Sequence, residues 1–132
     1  MKLATFLING KQHVGALTEQ GLRPFAAGPA SDIADVIRLQ ADGVRLRDIV
    51  AMALPPVDPA SVTFLPPLLN PPKIICVGLN YADHTKESPY AQPDYPTLFL
   101  RVATSLIGEG AVLERPLCSD SLDFEGELAV VL

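Results

Sequence analysis

Residues 123–132, DFEGELAVVL, place three acidic side chains ahead of a run of five apolar residues. Side chains alternate between the two faces of a β-strand, so this pattern predicts a strand with two unlike faces. The face expected to pack into a core carries the large apolar side chains: Phe124, Leu128, Val130 and Leu132. The opposite face carries the acidic side chains: Asp123, Glu125 and Glu127.

The acidic face has two interpretations. Carboxylates two residues apart on a strand point the same way, about 7 Å from each other, and repel. A divalent cation such as Mg²⁺, Mn²⁺ or Ca²⁺ would offset that repulsion, because hard cations prefer oxygen ligands. A solvent-exposed acidic surface explains the same spacing. The spacing alone leaves both open, although Ala129 and Val131 continue this face as apolar residues.

The apolar run reaches Leu132 without a turn, a cap or a polar tail. Chain ends are usually exposed and polar. We therefore expect the sequence to be a fragment of a longer polypeptide.

Composition limits the classes of protein that this chain can belong to. Its 132 residues are 48% hydrophobic and 19% charged, which is typical of one globular domain or two small ones. A net charge of −5 argues against nucleic acid or an anionic membrane as a partner, since both require clustered Lys and Arg. Cys76 and Cys118 lack the spacing of a zinc site, and no signal peptide or membrane span is visible, so a cytoplasmic location is expected.

The first 54 residues read as a small α+β unit. Asn9-Gly10 between two apolar runs predicts a β-hairpin, because both residues tolerate a positive φ. Ser31 is predicted to cap a helix that ends before Gly43, and a second short helix follows. Residues 55–72 contain seven of the thirteen prolines and are predicted to be a linker with a short strand near its middle.

Residues 73–132 carry the candidate chemistry. Residues 73–78 are rich in β-branched side chains and predict a buried strand, with a short helix starting near Asn80. His84 and Glu87 lie three apart, so they are neighbours on one helix face. A carboxylate beside an imidazole orients the ring and favours its action as a general base on water. An exposed His and Glu on a surface helix explain the same spacing.

Three runs from here onward resemble the fumarylacetoacetate hydrolase superfamily, in particular its acylpyruvate hydrolase and 2-hydroxyhepta-2,4-diene-1,7-dioate isomerase types. They are PPKIICVGLNYADH at 71–84, YPTLFL at 95–100 and LDFEGELAVV at 122–131. The resemblance implies a fold class that is mixed and mainly β. A small α+β domain over 1–54 and the linker over 55–72 would precede the first half of the family's β-roll or sandwich, at 73–132.

The resemblance also implies a set of site residues. Glu125 and Glu127 match an E-x-E pair that binds Mg²⁺ or Mn²⁺, with a third ligand, an Asp, expected beyond Leu132. His84 and Glu87 match the pair that activates water. Tyr81 and Arg101 would bind substrate, although Arg101 stands where a Lys is common, and its planar guanidinium is not equivalent to an ammonium.

The implied function is that of a metal-dependent hydrolase that cleaves a carbon–carbon bond in a small 1,3-dicarbonyl or 2-oxo acid, in aromatic compound catabolism. Decarboxylation, isomerisation or hydration through the same metal-bound enolate is the alternative. A hypothesis of another class is an inactive fragment with an incomplete site. By analogy with the family, the full-length protein is expected to be a homodimer.

Overall fold

The computed structural model describes residues 1–26, 30–87, 89–91 and 93–132. Within them, strands outnumber helices, which confirms the mixed, mainly β fold class. The elements in chain order are β1 Lys2–Ile8, β2 Lys11–Thr18, β3 Gly21–Pro24, α1 Ile33–Ala41, α2 Leu46–Ala51, β4 Thr63–Phe64, β5 Ile74–Gly78, α3 Ala82–Glu87 and β6 Thr97–Arg101. Single 3₁₀ turns lie at Pro59–Ser61 and Ala103–Ser105.

The predicted hairpin is confirmed. β1 and β2 pair antiparallel in register from Lys2 opposite Leu17 to Ile8 opposite Lys11. Asn9 and Gly10 connect them with φ angles of 49° and 76°. Two consecutive positive φ angles match the twist of a two-residue hairpin turn, so the connection sets the register of the whole pair.

Both faces of the first sheet, with strand order β3-β2-β1-β4, contribute to a core. On one face, Val14 and Ala16 pack with Phe25 and with Val36 and Ile49 of the two helices. On the other face, Phe6 and Leu22 are completely buried. Both faces of the sheet therefore bury apolar side chains, and the two helices cover one of them.

Helix α1 begins one residue later than predicted. Asp32, not Ser31, is the N-cap, and its carboxylate accepts a hydrogen bond from the N–H of Asp35 at 3.1 Å. The N–H and hydroxyl of Ser31 donate instead to the Asp35 carboxylate, at 2.8 and 2.7 Å. Gly43 has a φ of 91° just after the helix ends, which confirms its predicted role.

The proline-rich segment runs alongside the first sheet. Leu22 and Val57 exchange backbone hydrogen bonds of 3.0 and 2.8 Å. The N–H of Leu65 donates to the carbonyl of Thr5 at 2.9 Å, and the Thr5 hydroxyl donates to the carbonyl of Pro67 at 2.8 Å. The division of the chain into 1–54, 55–72 and 73–132 stays a prediction.

The second half contains a two-stranded antiparallel sheet. β5 and β6 pair from Ile74 opposite Arg101 to Gly78 opposite Thr97. The strand predicted at 73–78 is thus confirmed, but it is only half-buried, and all five residues of β6 are exposed.

The strand predicted for residues 123–132 is wrong. In the structure this stretch is irregular, and the side chains assigned to a core face are open to solvent, with Phe124 and Leu128 each 91% exposed. A strand needs a neighbour to bond its N–H and C=O groups. Neither sheet of the described chain includes these residues, so alternation alone does not make this stretch a strand.

A substitution at Gly15 tests the close packing of β2 on β3. An added Cβ would overlap the carbonyl oxygen of Arg23 and lie 3.0 Å from the Cα of Pro24. Gly15→Ala is therefore expected to destabilise the fold by about 1–3 kcal/mol, a usual cost of overpacking. Urea unfolding followed by circular dichroism measures it. Gly126→Ala is the matched control, because nothing lies within 4 Å of its added Cβ; equal stability of the two variants would contradict the packing.

The start of α1 predicts a pH dependence. Hydrogen bonds from the Ser31 hydroxyl and N–H, helped by the Asp32 backbone and the Arg38 guanidinium, lower the pKa of the Asp35 carboxyl below its ordinary value of 3.8, against an opposing effect of burial. A carboxyl with a lowered folded-state pKa stabilises the fold above its unfolded-state pKa, and this contribution is lost as the pH falls through the folded-state value. Asp35→Asn should therefore lower stability by about 1 kcal/mol at pH 7, the usual net contribution of a hydrogen bond to a protein's stability.

The difference in unfolding free energy between Asp35→Asn and wild type should shrink towards zero as the pH is lowered below 3.8. Thermal unfolding of dilute samples across this range measures it, with Asp94→Asn, at an exposed carboxyl outside the helices, as the control. A difference that stays constant with pH would rule out the charged carboxylate as its source.

Candidate active site

The connection between β5 and α3 positions the candidate catalytic helix. β5 ends at Gly78, Leu79 adopts a φ of 53°, and α3 begins at Ala82. A left-handed backbone at a residue with a Cβ costs about 1–2 kcal/mol, and it persists only where the surroundings enforce it. The turn is therefore a constrained point between the strand and the helix.

Thr85 anchors the helix to this turn. Its side chain is 5% exposed. Its hydroxyl lies 3.3 Å from the carbonyl oxygens of both Leu79 and Tyr81, and its N–H donates to Tyr81 at 3.1 Å. Sequence reasoning missed Thr85, since all residues of ADHTKE after Ala82 are polar, which is typical of a surface helix. The available signal was that a helical Thr can donate to a carbonyl four residues earlier.

The predicted base lies on this helix. The backbone of His84 is within α3, but its side chain lies outside what the structure describes. Glu87 is the last residue of α3 and is exposed, and Tyr81, just before the helix, is 44% exposed. The catalytic role of His84 and Glu87 and the substrate role of Tyr81 stay predictions.

Arg101 lies at the other end of the two-stranded sheet. It is opposite Ile74, whereas the chain leaves β5 for α3 at Gly78, four residues further on. That is about 13 Å along the strand. The Arg101 guanidinium lies 5.8 Å from the centre of the Phe99 ring. Arg101 is therefore distant from the point where the chain leaves β5, and its role in substrate binding stays a prediction.

Glu125 and Glu127 are the predicted metal ligands, and both lie in the irregular, exposed segment. Their carboxylates are the donor type that Mg²⁺ and Mn²⁺ prefer. Among the residues that the structure describes, however, no three His, Cys, Asp or Glu side chains form a group that could hold a metal ion. The described chain thus supplies suitable donors but not a metal site.

Comparisons with known proteins find one family model and several individual relatives that are similar to this chain. A family model described as fumarylacetoacetate (FAA) hydrolase C-terminal matches residues 73–132. Human oxaloacetate tautomerase FAHD2A, mitochondrial, is 41% identical over 86 residues, which cover 65% of this chain and 27% of that protein. An uncharacterized protein of Archaeoglobus fulgidus is 47% identical over 72 residues, which cover 54% of this chain and 28% of that protein.

The chain therefore spans about a quarter of the length of these curated relatives, at 27% and 28%. No solved structure matches the chain. In the described ranges, no helix has the length and apolar character that crossing a membrane requires.

Proposed function

We propose that this chain belongs to the fumarylacetoacetate hydrolase superfamily, whose family model matches residues 73–132. We also propose that the whole protein is an enzyme that acts on a small 2-oxo acid through its enol or enolate form. The observation that supports this most directly is the family match over the segment that contains β5, α3, β6 and both candidate metal ligands. Fold alone does not specify a reaction, so the reaction type rests on the individual residues and on the relatives.

Two reactions fit this chemistry. Hydrolytic cleavage of a carbon–carbon bond is favoured by the family's description, which names a hydrolase. Keto–enol tautomerisation is favoured by the human relative, which is named an oxaloacetate tautomerase. In the first reaction a base removes a proton from the attacking water; in the second it moves one proton between carbon and oxygen of the same substrate.

His84 is the proposed base in both reactions, with Glu87 as the group that orients it. An imidazole ordinarily titrates near neutral pH, so it can accept and return a proton at little cost. Residues three apart on a helix lie on the same face, and the two positions are the third and last of α3. Tyr81 and Arg101 are proposed substrate contacts.

Mg²⁺ or Mn²⁺ is the proposed cofactor, with Glu125 and Glu127 as two of its ligands. Such a cation would stabilise negative charge on an enolate oxygen. Because the described residues provide no group of three ligands, this part of the proposal depends on the family resemblance. The cytoplasmic location, the small-molecule partner and the homodimer also stay predictions.

Single-residue variants of the full-length protein test this assignment. His84→Ala should lower kcat at least about 100-fold for whichever of the two reactions the wild type performs, since general bases contribute about 10²–10⁴-fold. Glu125→Gln should abolish the dependence of the rate on added Mg²⁺. Loss of the oxaloacetate enol and cleavage of an acylpyruvate are each followed by absorbance.

Glu114→Gln is the matched control, because Glu114 is exposed and outside the three family runs; it should keep wild-type rates. Circular dichroism confirms that each variant is folded. Undiminished turnover in His84→Ala would eliminate His84 as the base. An intact mass of 14.1 kDa together with no turnover on either substrate would favour the competing hypothesis of an inactive polypeptide.

A further inference from the structure

Thr85 is an exception in its part of the chain. Between residues 73 and 132, it is the one buried side chain among those whose burial the structure describes. Burying a hydroxyl is costly unless it is hydrogen-bonded. A polar group buried in an otherwise exposed segment therefore indicates a specific bonding role more than a contribution to an apolar core.

The partners of the Thr85 hydroxyl connect two different pieces of backbone. Tyr81 is four residues earlier, the ordinary partner of a helical Thr. Leu79 is six residues earlier and lies before the helix, in the turn that follows β5. One side chain thus links the body of α3 to the residue whose φ of 53° sets the direction of the chain as it leaves the strand.

This link restricts how α3 can turn relative to β5. A six-residue helix has few intrahelical bonds of its own and is marginal without tertiary support. The left-handed Leu79 also relaxes if nothing holds it. The single proton of the Thr85 hydroxyl is shared between the two carbonyl oxygens, each 3.3 Å away, in a three-centre hydrogen bond. That shared bond opposes both changes, because it restrains the turn and the helix together.

We infer that Thr85 is a positioning residue for α3. Its hydroxyl holds the helix at the angle to β5 that directs positions 84 and 87 towards the reacting groups. This role rests on the proposed function, in which His84 is the base and Glu87 orients it. Thr85 itself is not a catalytic residue, because it acts on the chemistry through the helix that carries its neighbour.

Two substitutions separate the hydroxyl from the methyl group. Thr85→Val replaces the hydroxyl by a methyl of similar size, and both side chains are β-branched with similar helix propensity. Thr85→Ser keeps the hydroxyl and removes the methyl. If Thr85 only fills space, Val should behave as wild type and Ser should be defective; if the hydroxyl holds the helix, the order is reversed.

Hydrogen exchange measured by mass spectrometry gives a result that does not depend on turnover. In Thr85→Val, peptides covering residues 79–87 should exchange about fivefold faster, which corresponds to the loss of one ordinary hydrogen bond. Peptides from β1 and β2 should be unchanged, and Thr85→Ser should match wild type throughout. Unchanged exchange of 79–87 in Thr85→Val would overturn the link between the turn and the helix.

Kinetics then test positioning in the full-length enzyme. Thr85→Val should lower kcat about tenfold with KM within about twofold, since a small misplacement of a reacting group can cost up to about 100-fold. The pH profile of kcat should shift as well, and Thr85→Ser should restore both. Faster exchange without any change in kcat or pH profile would make Thr85 a structural residue and overturn the positioning role.

The two proposals fail in different ways. If the wild-type enzyme turns over neither substrate, the proposed function fails, and the positioning role fails with it even if hydrogen exchange confirms the link. If the wild type is active and Thr85→Val has the same kcat and pH profile as the wild type, the proposed function stands. In that case the positioning role alone is overturned.

Discussion

The amino-terminal half depends on the register of one hairpin. Side chains on a strand alternate with a period of two, so a slip of one residue would exchange the two faces of β2. The turn at Asn9 and Gly10 prevents that slip by fixing how β1 meets β2. Only in this register do Val14 and Ala16 face the helices while Phe6 faces away from them. The packing on both sides of the sheet follows from it.

Much of this half could be predicted because its signals are local. A two-residue turn, a capping side chain or a glycine after a helix constrains the chain within a few residues of itself. The start of α1 shows the limit of such signals. Both Ser31 and Asp32 can cap a helix, and the choice depends on the Asp35 side chain, which bonds to Ser31 and leaves Asp32 as the cap.

The candidate site could be predicted from the sequence only in part. The resemblance supplied the residue types and their positions, but not their assembly, because assembly depends on contacts between distant parts of the chain. The stretch around Glu125 and Glu127 has the alternation of a strand, yet it is not a strand of either sheet in the described chain. The opposite error occurred at Thr85, where a buried and bonded side chain lies within a sequence that reads as a solvent-exposed helix.

The exposure of β6 has a consequence for how this polypeptide behaves in solution. Leu98, Phe99 and Leu100 are 62%, 42% and 73% exposed, and Arg101 is the one charged residue of the strand. A short apolar strand with an open edge is a template for pairing with another chain. At neutral pH a net charge of −5 opposes such aggregation by mutual repulsion. That protection disappears near the pI of 4.8, so colloidal stability should be lowest in mildly acidic buffer.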